Sequence, residues 1–145
     1  MKLGPLNHVG IAVPCVKTAS AQYRDMFGVK TITEPKSLPE QGVTFVFVNL
    51  PSGQVELIEP YGKNSPITKF LERNPKGAQH HICFEVKNIE KAVTKMEKTG
   101  ATVLNKPRIG AHGTPVVFLH PKNFSGTLIE LMESPKKGRK NKENV

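Results

Sequence analysis

The chain has 145 residues, which is enough for one domain with a sizeable core and too few for two ordinary domains. Hydrophobic residues make up 37% of it, and no apolar run approaches the ~20 residues that a membrane-spanning helix needs. The formal net charge is +9, but residues 136–142 supply five of the 21 basic side chains. We therefore expect a single domain over residues 1–135 and a basic disordered tail over 136–145, rather than a nucleic-acid-binding surface or a phosphate-binding arm.

Cys15 and Cys83 lie on different predicted elements without CxxC spacing, which argues against a disulfide framework and favours a reducing compartment. The first predicted strand begins within a few residues of the N-terminus. No secretory signal or transit peptide is therefore visible in the chain as given.

The first half of the chain predicts one helix among several strands. The predicted strands are residues 6–13, 31–35, 43–50 and 55–58. The helix is expected over residues 17–27, with Gly28 as its stop. The PSGQ segment between the last two strands is a turn signal, so those strands are expected to form a hairpin.

The second half repeats this order after a connector at residues 61–77, in which residues 66–71 favour a short helix. Its predicted strands are residues 81–86, 116–119 and 127–132, and its helix is residues 89–99. We therefore expect two modules, at about residues 5–60 and 78–134.

A histidine and a glutamate recur at matched places in the two modules. His8 precedes Glu56 by 48 residues and His81 precedes Glu130 by 49, in the local wording HVGIAV and VELIEP against HICFEV and IELMESP. Such a long period indicates a duplicated half-domain rather than a solenoid, with the copies facing each other across a pseudo-twofold axis. Two His and two Glu are then expected to converge.

Strand parity predicts which face each of these side chains occupies. His8 shares its face with the small residues Gly10 and Ala12, while Val9, Ile11 and Val13 form the core face. In the second copy, His81, Cys83 and Glu85 share the open face. Parity therefore selects His81, and not His80, as the counterpart of His8.

A carboxylate in the middle of an apolar strand is costly unless it is paired or bound to a cation, and both Glu56 and Glu130 stand in such strands. Imidazole with carboxylate suits Zn²⁺, Co²⁺, Mn²⁺, Fe²⁺ or Ni²⁺. Four protein ligands on a six-coordinate ion leave two adjacent positions for substrate oxygens. The expected chemistry is proton abstraction beside a chelated carbonyl, with oxygen chemistry as the competitor.

Six segments are similar, in order, to blocks of the methylmalonyl-CoA epimerases, a family of the vicinal oxygen chelate superfamily. They are LNHVGIAV, EQGVTFVFVNL, VELIEPYGKNSPITKFLERNPKG, HHICFEV, IGAHGTPVVFLHPK and GTLIEL, which together span about residues 5–134. The resemblance implies an α+β fold in which two tandem βαβββ modules form a curved sheet around a metal site. It also implies one divalent metal, with Co²⁺ favoured, and a homodimer.

The resemblance further implies site residues and a reaction. His8, His81 and Glu130 are expected to bind the metal, with Glu56 at a fourth ligand position where some members have Gln. The reaction is interconversion of (2R)- and (2S)-methylmalonyl-CoA through a thioester enolate, in propionyl-CoA catabolism. Glu130 is the expected acid/base. The compartment would be the mitochondrial matrix in a eukaryote and the cytoplasm in a bacterium.

One departure concerns the second acid/base. Some bacterial members carry a second catalytic Glu where this chain has Phe45, and Phe cannot transfer a proton. His112 in the GAHG loop, Glu85 or a water molecule are the alternatives, and Lys122 is a candidate contact for an acyl or CoA phosphate oxygen.

Other activities on this scaffold also stay open from the sequence. They are a glyoxalase I type isomerase and a metal-free small-molecule binding protein. A ring-cleaving dioxygenase fits less well, because it needs a position that the fourth protein ligand would occupy.

Overall fold

The computed structural model describes residues 1–136, so most of the predicted basic tail lies outside the described residues. The chain divides into two compact units, Asn7–Ile82 and Met1–Leu6 together with the chain from Cys83 onward. We call these the first and the second unit, respectively. The helices and strands are, in chain order, β1 (Leu6–Ala12), α1 (Val16–Phe27), β2 (Lys36–Leu38), β3 (Val43–Leu50), β4 (Gly53–Pro60), α2 (Pro66–Arg73), β5 (Ala78–Val86), α3 (Ile89–Lys98), β6 (Arg108–Ile109), β7 (Pro115–Leu119) and β8 (Ile129–Glu133).

In the first unit the strands are hydrogen-bonded in the order β2-β3-β4-β1-β5, with the first part of β5 at the end of the row. β3 and β4 form an antiparallel hairpin in which Phe47 is the partner of Glu56. β1 runs parallel to β4, with Gly10 as the partner of Glu56. Glu56 therefore stands between Phe47 and Gly10 on one face of this sheet.

In the second unit the row is β5-β8-β7-β6, beginning with the last part of β5. β7 and β8 are antiparallel, and Phe118 is the partner of Glu130. The two-residue strand β6 pairs with the start of β7. Each unit thus contains a helix and a set of strands in the repeated order that the sequence predicts.

The core face of the first unit is the one that parity assigns. Val13, Val46, Val48 and Leu57 are buried there with residues of α1, and Ile11 packs against them. Alternation of side chains along the strands then puts Glu56 and Phe47 on the other face.

The second copy differs from the expectation at Cys83. The predicted open face is filled at this position, because the Cys83 side chain is fully buried against Val116 and Met132. Deep burial among apolar side chains is ordinary for an unpaired cysteine, which packs as a small hydrophobic residue.

The helix boundaries follow from local chemistry. α1 ends at Gly28, whose φ of 69° is the left-handed conformation that glycine adopts without strain. The N–H of Gly28 donates to the carbonyl of Arg24, and the N–H of Val29 donates to the carbonyl of Tyr23. α2 begins at Pro66 after Ser65, whose hydroxyl accepts from the N–H of Ile67. No helix within residues 1–136 is long and apolar enough to cross a membrane.

Several strand predictions differ from the structure. Residues 31–35 form no regular strand: Ile32 makes an isolated bridge to Val48, and the strand of this region is β2 at Lys36–Leu38. The reason lies at Thr33, whose hydroxyl accepts from the N–H of Phe47 at 2.8 Å, in place of a backbone carbonyl. β6 was not predicted, and the predicted start of β5, residue 81, is three residues too late.

Candidate metal centre

Three of the four predicted ligands meet in the first unit. The Nε2 atoms of His8 and His81 are 3.1 Å apart. Oε1 of Glu56 lies 3.6 Å from the first and 3.4 Å from the second. All three residues are buried, at 1%, 3% and 7% exposure. Two imidazole nitrogens and one carboxylate oxygen therefore form a small triangle shielded from water.

The strand order explains this meeting. β1 lies between β4 and β5 in the first unit, so side chains of three adjacent strands share one face. His8 and His81 stand on strands next to each other, and Glu56 stands on the opposite side of β1 from His81. A side chain at the intervening position of β1 would separate them, and that position is Gly10. A Cβ built there would lie 2.1 Å from Cε1 of His81.

Aromatic rings cover one side of this cluster. Phe47 meets the imidazole of His8 edge to face, with ring centroids 6.1 Å apart. Phe45 packs against Phe47 with centroids 5.3 Å apart, and both are buried. Apolar rings next to the donor atoms lower the local polarity, which strengthens any electrostatic interaction made there.

Each histidine has a hydrogen-bond partner at its other ring nitrogen, from the residue that precedes it. Nδ1 of His8 lies 2.7 Å from Oδ1 of Asn7. Nδ1 of His81 lies 2.8 Å from Nδ1 of His80. Because Oδ1 is an acceptor, this hydrogen bond engages Nδ1 of His8 and leaves its Nε2 facing the triangle.

The donor set fits a divalent metal. Ligand atoms at neighbouring positions around an ion with bonds of about 2.1 Å lie roughly 3.0–3.4 Å apart. The distances of 3.1, 3.4 and 3.6 Å among these three atoms are close to that range. Two imidazoles and a carboxylate suit the borderline ions Zn²⁺, Co²⁺, Mn²⁺ and Ni²⁺.

Glu130, the fourth predicted ligand, belongs to the second unit. It is 7% exposed on β8, between the buried residues Ile129 and Leu131. A carboxylate in such surroundings needs a partner. Its environment therefore parallels that of Glu56 in the first unit.

A second pair of glutamates at matched places in the two modules, Glu59 and Glu133, was not predicted from the sequence. Oε1 of Glu59 accepts from the N–H of Val16 at 2.9 Å, and Oε1 of Glu133 accepts from the N–H of Ile89 at 3.1 Å. In both βαβββ modules a carboxylate from the last strand, β4 or β8, thus binds the first turn of the module's helix, α1 or α3. The spacing carries the signal, since each lies three residues after a predicted ligand in VELIEP and IELMESP.

Phe45 and the two residues considered as alternative acid/bases, Glu85 and His112, have different surroundings. Phe45 is 6% exposed and packed against Phe47, so it is part of the apolar wall. Glu85 and His112 are in the second unit, where the backbone of Glu85 exchanges hydrogen bonds with the N-terminal segment at Gly4 and Pro5.

Lys122, the candidate contact for a phosphate oxygen, is exposed in a short 3-10 turn at Pro121–Asn123. Its backbone N–H donates to Nδ1 of His120.

Comparison with known proteins places this geometry in context. Residues 7–118 match the glyoxalase/bleomycin resistance protein/dioxygenase superfamily. The chain is 50% identical to ethylmalonyl-CoA/methylmalonyl-CoA epimerase of Cereibacter sphaeroides, over 89% of this chain and 97% of that one. It is 49% identical to the mitochondrial methylmalonyl-CoA epimerase of Mus musculus, over 92% of this chain and 75% of the relative.

Solved structures with a similar fold include further methylmalonyl-CoA epimerases. A methylmalonyl-CoA epimerase in complex with methylmalonyl-CoA and NH4+ superposes with a TM-score of 0.84 at 29% identity. That superposition covers 92% of this chain and 96% of the other. The fold predicted from the resemblance, two βαβββ modules of the vicinal oxygen chelate type, is confirmed by this agreement.

Proposed function

Because the chain belongs to the methylmalonyl-CoA epimerases of the glyoxalase/bleomycin resistance protein/dioxygenase superfamily, we propose that it interconverts the two C2 epimers of methylmalonyl-CoA by proton transfer. The reaction breaks the C2–H bond next to the thioester carbonyl and returns a proton on the opposite face. The proton is removed from C2 in both directions of the reaction, so one set of residues serves both epimers.

The observation that carries this proposal is the triangle of His8, Glu56 and His81. These residues would hold a divalent cation, with Glu130 as the fourth ligand. A cation at this place supplies Lewis-acid stabilisation of the negative charge that develops on the thioester oxygen. Buried surroundings and the Phe45–Phe47 wall keep bulk water from competing for that charge.

Glu130 is the proposed acid/base. Its carboxylate takes the C2 proton, the electron pair of the broken bond enters the enolate of the thioester, and the protonated carboxyl returns the proton in the reverse direction. The support is its repeated position, its burial among apolar neighbours, and the absence of a titratable group on the side chain of Phe45. Donation on the opposite face falls to another residue, of which His112 and Glu85 are the candidates, or to a water molecule.

Three finer points belong to the same proposal. Co²⁺ is the proposed metal, with Zn²⁺, Mn²⁺ and Ni²⁺ as alternatives that the donor set also suits. The chain is proposed to form a homodimer, because the short end strands β2 and β6 leave sheet edges that a partner can cover. It would act in propionyl-CoA catabolism, in the mitochondrial matrix of a eukaryote or the cytoplasm of a bacterium.

Deuterium exchange tests the proposed reaction. Methylmalonyl-CoA incubated with the protein and Co²⁺ in D₂O should gain deuterium at C2, measured by mass spectrometry against a protein-free blank. Glu130→Gln should abolish epimerisation and the exchange of the epimer whose C2 proton Glu130 takes, because the amide cannot take up the proton. Glu133→Gln is the matched control, since Glu133 lies on the same strand and binds α3 instead.

The outcome that overturns the proposal is the absence of exchange in the wild-type protein with Co²⁺, Zn²⁺, Mn²⁺ or Ni²⁺ supplied. Turnover of a glutathione hemithioacetal in its place would favour the glyoxalase I interpretation.

A further inference from the structure

The residue before each of the two candidate metal-binding histidines makes the same kind of contact, although the two residues differ in type. Asn7 precedes His8 and His80 precedes His81, and in both pairs the earlier side chain lies within hydrogen-bond distance of Nδ1 of the later one, at 2.7 and 2.8 Å. Side chains at consecutive strand positions start on opposite faces. Two contacts of this kind at matched places are therefore a specific arrangement rather than a consequence of strand geometry.

His80 has a support of its own. Its ring meets Phe70 of α2 nearly perpendicularly, with centroids 4.9 Å apart and an interplanar angle of 76°. Phe70 belongs to the helix that connects the two modules. The imidazole of His80 thus has two ring contacts, one with Phe70 and one with His81, whose centroid is 5.1 Å away.

The two Nε2 atoms of His8 and His81 are 3.1 Å apart. In the first pair the partner atom is the amide oxygen of Asn7, an acceptor, so Nδ1 of His8 is the donor and Nε2 is the ring nitrogen left for a cation. If His80 Nδ1 plays the same accepting role, His81 also presents a lone pair at Nε2. Both rings would then offer Nε2 to the same cation, each held in its orientation by the hydrogen bond at Nδ1.

We propose that Asn7 and His80 are positioning residues that set the tautomer and ring orientation of His8 and His81, so that both Nε2 lone pairs face one cation. This inference rests on the proposed function, because it assumes that a divalent ion binds His8, Glu56 and His81. It adds that each ligand histidine is oriented by a hydrogen-bond acceptor on the residue immediately before it.

Exchange of residues between the copies tests it. His80→Asn gives both copies the Asn-His order and keeps an acceptor. His80→Phe keeps an aromatic ring against Phe70 but removes the nitrogen. The measurement is the Kd for Co²⁺ alone, by isothermal titration calorimetry, together with the visible absorption spectrum of the bound Co²⁺ ion and the thermal unfolding of metal-free protein.

We expect His80→Phe to weaken Co²⁺ binding by about 10- to 100-fold and to alter the Co²⁺ spectrum, with little change in the Tm of the metal-free protein. His80→Asn should restore the affinity to within a few-fold of wild type. Asn7→Leu should weaken binding in the same way as His80→Phe, and Asn7→Asp, which keeps an acceptor oxygen, should not.

Two results would overturn the inference. One is wild-type affinity in both His80→Phe and Asn7→Leu; the other is equal loss in His80→Phe and His80→Asn with a lowered Tm of the metal-free protein, which indicates packing alone. Failure of the proposed function looks different. In that case the wild-type protein itself binds no divalent metal, or His8→Ala leaves its binding unchanged.

Discussion

The imidazole of His81 fills the space in which a side chain on residue 10 would lie. A Cβ built on Gly10 would come within 2.1 Å of Cε1, 2.4 Å of Nδ1 and 2.6 Å of Nε2 of His81, which real atoms do not tolerate. The absence of a side chain at Gly10 is therefore what permits two histidines on adjacent strands to bring their Nε2 atoms to 3.1 Å.

Gly10→Ala should destabilise the metal-free protein by about 1–3 kcal/mol, because the methyl group overpacks the cluster and displaces His81. Urea unfolding measures the effect. The control is the same substitution in a His81→Ala background, where the space is vacant and the cost should nearly vanish. An equal cost in both backgrounds would show that the methyl group clashes with something other than this ring.

Phe45 should tolerate an apolar replacement and not an acidic one. It is 6% exposed, packs on Phe47 and is the strand partner of Ile58. Phe45→Glu should cost roughly 2–4 kcal/mol, because an unpaired carboxylate would be buried.

Phe45→Leu is the matched variant and should keep most of the epimerase kcat, since Phe45 transfers no proton. Circular dichroism melts and epimerase assays of both variants check this. A large rise in kcat for the Glu variant with an unchanged Tm would instead mean that the position is ready to host an acid.

Glu59 should contribute more to stability than an ordinary surface glutamate. Its carboxylate accepts from the N–H of Val16, a first-turn donor that has no carbonyl partner within α1. Glu59→Ala should lower the free energy of unfolding by about 0.5–2 kcal/mol, because a first-turn N–H loses its acceptor and the helix dipole loses a negative neighbour.

Glu133→Ala should cost less, because α3 also has Asn88, whose side chain accepts from the N–H of Lys91. Chemical denaturation of both variants gives the comparison, and exposed Glu34→Ala serves as the reference. Equal effects at Glu59 and Glu34 would contradict a capping role.

Cys15 should react as a thiolate at lower pH than an ordinary cysteine. Hydrogen bonds from the Thr18 side chain and then its backbone N–H lower the pKa of the Cys15 thiol, by favouring the charged form. A lowered pKa enlarges the thiolate fraction at any pH below the ordinary thiol value. Iodoacetamide labelling as a function of pH, in a Cys83→Ala background, should therefore have a midpoint below that of an unperturbed thiol.

Thr18→Val removes the largest of these contributions and should shift the midpoint of Cys15 labelling upward. An unchanged midpoint in Thr18→Val would contradict the assigned cause. Buried Cys83 in the wild-type protein should stay unlabelled until the chain unfolds.

The parts of this structure that could be predicted from the sequence are those that depend on local sequence patterns. The β3–β4 hairpin, the glycine that ends α1 and the meeting of His8 with His81 follow from alternation, turn residues and a repeat. Glu59 and Glu133 were missed because their bonds join residues 43 and 44 positions apart, and a glutamate after an apolar strand also fits a solvated position.

The errors have the same origin in tertiary contacts. Residues 31–35 have the composition of a strand, but the Thr33 hydroxyl occupies the N–H of Phe47 and so interrupts the backbone ladder. β6 has two residues, Arg108 and Ile109, which is too short for any period to be read. Cys83 was assigned to an open face because parity gives a direction and not the neighbours that fill it.

The boundary between the compact units falls inside β5, between Ile82 and Cys83. His81 therefore belongs to the second repeat in the sequence, whereas its side chain joins His8 and Glu56 in the first unit. A single ancestral module that ended before such a strand would have contained one histidine and one glutamate. It could have obtained a second imidazole ligand only by associating with another molecule. Fusing two modules in one chain replaces that encounter by a tethered one, so the site no longer depends on protein concentration.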